Sequence, residues 1–219
     1  MDRRDDIIKI LESLSGGYSS YEIFSDWIRL MAFSISNSLS PIHDKLWNDR
    51  ESSYRETISK YKDREREMLQ ECFSLLVETL EEPSDVLGDV FMRSGMGSQA
   101  AGQFFTPFHL SILTAQAGID VEELKKTDDL IRMNEPSCGG GGMIIATAKV
   151  LKEAGIDYQT RMRVIAQDLD WKGVYMTYVQ VSLLGIHAWC IQGDSLADPL
   201  AKIPREKVLY TPKAAGVLL

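Results

Sequence analysis

The sequence predicts an α/β fold in which a helical N-terminal region precedes a mainly parallel sheet. Three observations carry this. Roughly the first hundred residues set apolar side chains at helical spacing. After Gly102, short apolar runs alternate with helical stretches, the order that parallel strands and crossover helices produce. The first such run leads, through Asn134-Glu135-Pro136-Ser137-Cys138, into four consecutive glycines and then a helix. The expected division is a helical domain over 1–97 and an α/β domain over 98–219.

In chain order, Asp6 to Leu14 clusters apolar residues on one helical face, and Gly16-Gly17 stops it. Ser20 is the expected N-cap of a helix from Tyr21 to about Ser36, with Ile23, Trp27, Leu30 and Met31 as its apolar stripe. Asn37 is expected to close that helix in a left-handed conformation, with Pro41 preventing its continuation. From Asp44 a charged helical stretch carries Trp47, Tyr54, Ile58 and Tyr61, and Met68, Cys72, Leu75, Leu76 and Leu80 continue the pattern. Core packing accounts for these aromatic and sulfur side chains, and solvated helix faces account for the charges. A short helix then runs from Asp85 to Phe91. Pro107 opens another from Phe108.

The α/β part follows. Leu130 to Met133 is the first strand, and Met143 to Ala154 a helix closed by Gly155. Arg163 to Asp170 is the second strand, Lys172 to Leu184 a helix closed by Gly185, His187 to Asp194 the third strand, and Lys207 to Thr211 the fourth.

Composition narrows the function classes. A 219-residue chain with 44% hydrophobic residues can build a sizeable core. No apolar run approaches a membrane span, and the polar start Met1-Asp2-Arg3-Arg4 is not a secretory signal. Cys72, Cys138 and Cys190 lack metal-ligand spacing, so a reduced, cytoplasmic setting without a metal site is expected. A net charge of −8 argues against a chain that grips nucleic acid unaided, because phosphate binding needs basic surface. His43, His109 and His187 are scattered, and Ser137 lacks the context of a nucleophile elbow. Cys138 is more simply a small turn residue than a nucleophile.

The candidate site gathers at the strand ends. Glycines at 139 to 142 allow close backbone approach, and the following helix offers unpaired N–H groups. Three successive strands end in acids: Glu135, Asp168 and Asp194. Ligands of such sheets bind outside the carboxyl ends of the strands. There Asp168 is positioned for ribose hydroxyls, Asp194 for an adenine amino group, and Glu135 for the amino group of a sulfonium cofactor's methionyl end. A glycine turn with one acid would suit NAD equally.

The segment from Gly102 to Asp194 resembles the cofactor half of the DNA adenine-N6 methyltransferases, most nearly the modification subunits of type I restriction systems. Gly102-Gln103-Phe104-Phe105-Thr106-Pro107 resembles the motif that precedes the glycine turn in that family. Glu135-Pro136-Ser137-Cys138-Gly139-Gly140-Gly141-Gly142 resembles its Asp-Pro-x-Cys-Gly-Ser-Gly-Gly turn. Gln167-Asp168, followed by Leu169, resembles its ribose pair, and Gly193-Asp194-Ser195-Leu196 its adenine-side motif. The resemblance implies a partial Rossmann-like methyltransferase sheet that binds S-adenosylmethionine (SAM). Gln103, Phe104, Phe105, Thr106, Pro107, Glu135, Pro136, Ser137, Cys138, Gly139, Gly141, Asp168, Leu169, Asp194 and Ser195 are the implied contacts. It also implies DNA methylation within restriction-modification.

One part of the family pattern is not matched. An Asn/Asp-Pro-Pro-Tyr/Phe tetrapeptide is expected after the fourth strand, to hold and stack the flipped adenine. This chain reads Thr211-Pro212-Lys213-Ala214 there. The expectation is that methyl transfer needs a partner chain or further sequence, or that the chain is an inactive SAM-binding module. By similarity, the strand order should be third, second, first, fourth. The fourth strand would then be an open edge, and residues 207–219 would pair with a second copy or a partner subunit that brings in DNA.

Overall fold

The computed structural model describes residues 2–96, 104–197 and 203–216. Among the described residues, five helices come first: α1 (Arg4–Ser13), α2 (Ser20–Ser38), α3 (Lys45–Ser59), α4 (Asp63–Thr79) and α5 (Val86–Arg93). α2 begins at Ser20, the expected cap, and the cap itself is Ser19, one residue earlier. Ser19 accepts from Glu22 N while the Glu22 carboxylate accepts from Ser19 N, a reciprocal capping box. Asn37 does not close α2. It lies inside the helix, and Leu39 takes the cap with an ordinary right-handed backbone. The continuous charged stretch divides into α3 and α4, capped at Asp44 and turning near Tyr61.

After Pro107 come α6 (Phe108–Gly118), the short α7 (Val121–Leu124), β1 (Ile131–Glu135), α8 (Gly142–Glu153), the short α9 (Tyr158–Arg161), β2 (Met162–Asp168), α10 (Trp171–Leu183) and β3 (His187–Gln192). A 3-10 turn at Arg205–Lys207 precedes β4 (Val208–Tyr210). Gly155 and Gly185 end α8 and α10 with φ of +77° and +67°, as expected.

The sheet order is β1-β2-β3-β4. The first three strands are parallel, with Met133 beside Val164 and Val164 beside Ala188. β4 corrects the expectation. It does not lie beside β1; it pairs with β3, antiparallel, with Tyr210 opposite Trp189 and Val208 opposite Ile191. Consequently β1 is an edge strand among the described residues. The outer side of β4 is met by the helical region, where Arg50 Nη2 donates to Val208 O (3.3 Å).

Because β1, β2 and β3 follow one another sideways, right-handed crossovers place α8 and α10 on the same face. On that face Met162, Val164, Ala166, Ala188, Cys190 and Leu209 are buried. Arg132, Asn134, Trp189 and Tyr210 alternate with them and are exposed. The helices α8 and α10 join the N-terminal helices in one hydrophobic core that runs from Ile7 to Leu209. Phe33 of α2 packs edge-on to Tyr175 of α10 at 5.5 Å. Lys172, also on α10, donates to Tyr21 Oη at 3.1 Å. No helix among the described residues is long and apolar enough to cross a membrane.

Candidate functional site: the glycine turn

Pairing of β1 with β2 and β2 with β3 brings Glu135, Asp168 and Asp194 to one end of the sheet. Glu135 lies beside Ala166, Asp168 lies beside Gln192, and Gly193 N donates to Asp168 O (2.9 Å). The turn after β1 is fastened to β2. Cys138 N donates to Gln167 O at 2.8 Å, and Gly139 N donates to Asp168 Oδ2 at 2.8 Å. Asp168 Oδ1 also accepts from Asp170 N (2.9 Å), so this carboxylate holds two loops in register. Its fixed orientation toward the turn suits it to a ribose hydroxyl as well, since each carboxylate oxygen can accept more than once.

Two turn glycines have left-handed backbones: Gly139 at φ +51° and Gly141 at φ +90°. The space that a side chain would take is filled by protein. A Cβ on Gly139 would sit 2.8 Å from the Phe105 ring, and one on Gly141 would sit 3.1 Å from Thr177 Oγ1. One on Gly140 would meet Met176 and the backbone of Gly88, and one on Gly142 would meet Asp85 and Ser111. The glycines therefore serve close packing of α5, α10 and the aromatic turn on the loop. α8 starts at Gly142 without a side-chain cap, which leaves first-turn N–H groups for an anion or a polar ligand.

Among the other expected contacts, Phe105 packs against the core, with its ring 5.1 Å from Phe91. Phe104, Thr106, Pro107, Pro136 and Ser137 are exposed around the turn. Glu135 Oε1 accepts from Ser137 N (3.3 Å). Leu169 and Ser195 are exposed beside Asp168 and Asp194, and Asp194 Oδ1 accepts from Leu196 N (2.9 Å). Gln103 lies outside the described residues. Burial pushes the Cys138 thiol up to about 12, so it stays protonated at neutral pH and is no nucleophile. No metal-ligating cluster occurs among the described residues.

Thr211 and Pro212 are far from this site in the sheet. Antiparallel β4 carries Thr211 to the beginning of β3, whereas the glycine turn lies by the ends of β1 and β2. There the fully buried Thr211 hydroxyl accepts from Ala188 N (3.0 Å) and lies within hydrogen-bond distance of Ile186 O (2.8 Å). It staples β3 to the C-terminal segment.

Two residues that the sequence did not single out as site residues complete the turn. Gln180, fully buried on α10, donates to Gly140 O (2.7 Å) and to Asp85 Oδ1 (2.9 Å), and accepts from Val86 N (2.8 Å) and Leu87 N (3.0 Å). Asp85, 4% exposed, caps α5 through Gly88 N (2.9 Å), and burial raises its carboxyl above the ordinary value. One signal was available: Gln180 is a lone amide within the apolar run of Val179 and Val181, the pattern of a buried network.

The fold and site define an α/β protein with a cofactor-type glycine turn at the carboxyl end of a parallel sheet. The model of the N-6 DNA methylase family matches residues 83–212. The chain belongs to the N-6 DNA methylase family. Among solved structures it is similar to a Listeria monocytogenes protein assigned as a class I SAM-dependent methyltransferase, at 12% identity and a TM-score of 0.48. That similarity covers 90% of this chain and 55% of the other, so the chain spans about half that protein's length. No curated protein matches.

Family membership implies SAM as the cofactor. The residues present fit it: a left-handed glycine turn, uncapped N–H groups at α8, the acids Glu135 and Asp168 ending β1 and β2, and Asp194 two residues beyond β3, which ends at Gln192.

Proposed function

We propose that this chain binds SAM as a protein of the DNA adenine-N6 methylase type, similar in kind to the modification subunit of type I restriction systems. Methyl transfer to adenine N6 then takes place only when another polypeptide supplies the pocket for the target base. When bound, SAM supplies an electrophilic methyl group on its sulfonium. The chain's own residues hold it: Asp168 the ribose, Asp194 the adenine amino group, and the turn from Glu135 to Gly141 the methionyl side, with Phe105 and Thr106 beside it. The boundaries 1–97 and 98–219 would separate a helical platform from this cofactor unit, and the protein would work in the cytoplasm.

The observation that carries this reading is the split between the two ends of the sheet. Cofactor-type groups cluster at the carboxyl ends of β1 to β3, while Thr211-Pro212-Lys213-Ala214 follow antiparallel β4 to the other end. The same split favours a second reading, a SAM-binding interaction module that does no chemistry. A net charge of −8 agrees with DNA contacts made largely through a partner.

Calorimetric titration with SAM and S-adenosylhomocysteine tests the cofactor, and tritiated methyl transfer to adenine-containing duplex DNA tests the chemistry. Binding without transfer by the purified chain is expected. N6-methyladenine made by the chain alone, free of host methylases, would overturn the dependence on a partner. A response to NAD with none to either SAM or S-adenosylhomocysteine would overturn the cofactor assignment.

A further inference from the structure

A cavity of 370 Å³ opens between α1, α5 and the aromatic turn, lined among others by Arg4, Asp85, Asp89, Met92, Phe105 and Thr106. It adjoins the glycine turn: Asp85 and Gly88 lie against the positions that side chains on Gly140 and Gly142 would take. Two charged side chains in its wall have unused bonding capacity. Asp85 accepts both of its hydrogen bonds at Oδ1, and Oδ2 makes none among the described residues. Arg4 has its side chain 15% exposed, and Nη1 donates to Asp2 (2.7 Å). Its Nε is buried without a hydrogen bond, 3.4 Å from Asp89 Oδ2.

Neither arrangement is self-sufficient. Asp85 is a buried carboxylate with one idle oxygen, and Arg4, half-buried and ion-paired with Asp2 and Asp89, keeps a buried Nε–H that makes no hydrogen bond, so each gives up solvation without full compensation. Together, on one cavity wall, they match a ligand that carries a cation and an anion a few bonds apart. Met92 and Phe105 offer an apolar wall to the methylenes and sulfur between such a group and a nucleoside.

We propose that this cavity receives the α-amino acid end of SAM and S-adenosylhomocysteine, with Asp85 facing the ammonium and Arg4 the carboxylate. The inference rests on the SAM reading above and assigns it two residues outside the glycine, ribose and adenine motifs. It also makes α1 and the start of α5, both in the helical region, part of the cofactor site.

S-adenosylhomocysteine and 5′-methylthioadenosine share a nucleoside and a thioether; only the first carries the amino acid. The test measures the affinity of full-length protein for both, with Asp85→Asn, Arg4→Gln and Glu135→Gln. Asn at 85 keeps the oxygen that accepts from Gly88 and Gln180 and removes only the charge facing the cavity. The expected result is that Asp85→Asn and Arg4→Gln each weaken S-adenosylhomocysteine by about tenfold or more, the scale of one hydrogen bond to a charged group. Methylthioadenosine should change by less than about twofold. Equal loss of both ligands would make the two residues structural and overturn the proposal. So would a selective loss in Glu135→Gln alone. If Asp85→Asn does not fold, the Arg4→Gln selectivity decides by the same criterion. Wild-type protein that binds neither ligand would instead remove the cofactor reading itself.

Discussion

Replacing Gln180 with Leu tests how the glycine turn is held. The side chain is fully buried and makes four hydrogen bonds, to Val86 N, Leu87 N, Gly140 O and Asp85 Oδ1. Leucine approximates its shape and satisfies none of them. Each buried partner left unsatisfied costs about 1–3 kcal/mol, so four set an upper range of roughly 4–12 kcal/mol. Water entering from the adjoining cavity, and Asp85 taking up a proton, relieve part of that. The expected destabilisation is about 3–5 kcal/mol, large against the 5–15 kcal/mol typical of a folded domain. Urea unfolding followed by circular dichroism measures it as a lowered midpoint. Gln180→Leu should also weaken SAM, because Gly140 and the start of α5 lose their common tie. A change below about 1 kcal/mol with SAM affinity intact would refute the claim that this amide organises the turn.

Three further outcomes are expected. Thr211→Val should destabilise the fold by about 1–3 kcal/mol, the cost of unsatisfied partners at the start of β3, yet leave SAM affinity unchanged; weakened SAM in calorimetry would place Thr211 in the cleft after all. Gly139→Ala should cost at least about 1 kcal/mol for its left-handed backbone and more for the Phe105 ring 2.8 Å from the new Cβ. Adding Phe105→Ala should remove the steric part only, which paired thermal melts would show. The carboxyls of Glu22 and Asp44 are held below their ordinary values, first by the backbone N–H groups of Ser19 and Trp47. Their contribution is present above the ordinary carboxylate range and disappears as pH falls through the lowered values, so the midpoint should drop between about pH 5 and pH 3. Asp85, raised by burial, works in the opposite sense, its ionisation costing stability as pH rises above 3.8.

The strands and the longer helices of the α/β part were legible in the sequence because each has a local cause, whereas the short helices Val121–Leu124 and Tyr158–Arg161 were not foreseen. Gly155 and Gly185 stop helices, and acids close strands where the apolar runs end. Helix ends in the first part were less so: Ser19 and Ser20 are both competent caps, and only Glu22 three residues on makes Ser19 the better one. The partner of β4 was not legible. Val208, Leu209 and Tyr210 would suit either edge of the sheet, and the choice depends on distant contacts with Arg50 and Tyr178. The site divided the same way. Acids at strand ends could be named from order alone, whereas the Asp85–Gln180 tie joins residues 95 positions apart.

The packing of α2 on α10 has a consequence for synthesis. Residues 20–38 leave the ribosome long before 171–183, the segment that covers Phe33 and supplies Lys172 to Tyr21. At about 5–20 residues per second, the intervening stretch takes roughly 7–30 s to make. Throughout that interval the emerging helix keeps a face of Phe33 and its apolar neighbours without its native cover. A nascent chain arrested before Trp171 should therefore present a hydrophobic ligand for chaperones, and one arrested after the ribosome exit tunnel has cleared Leu183 should not.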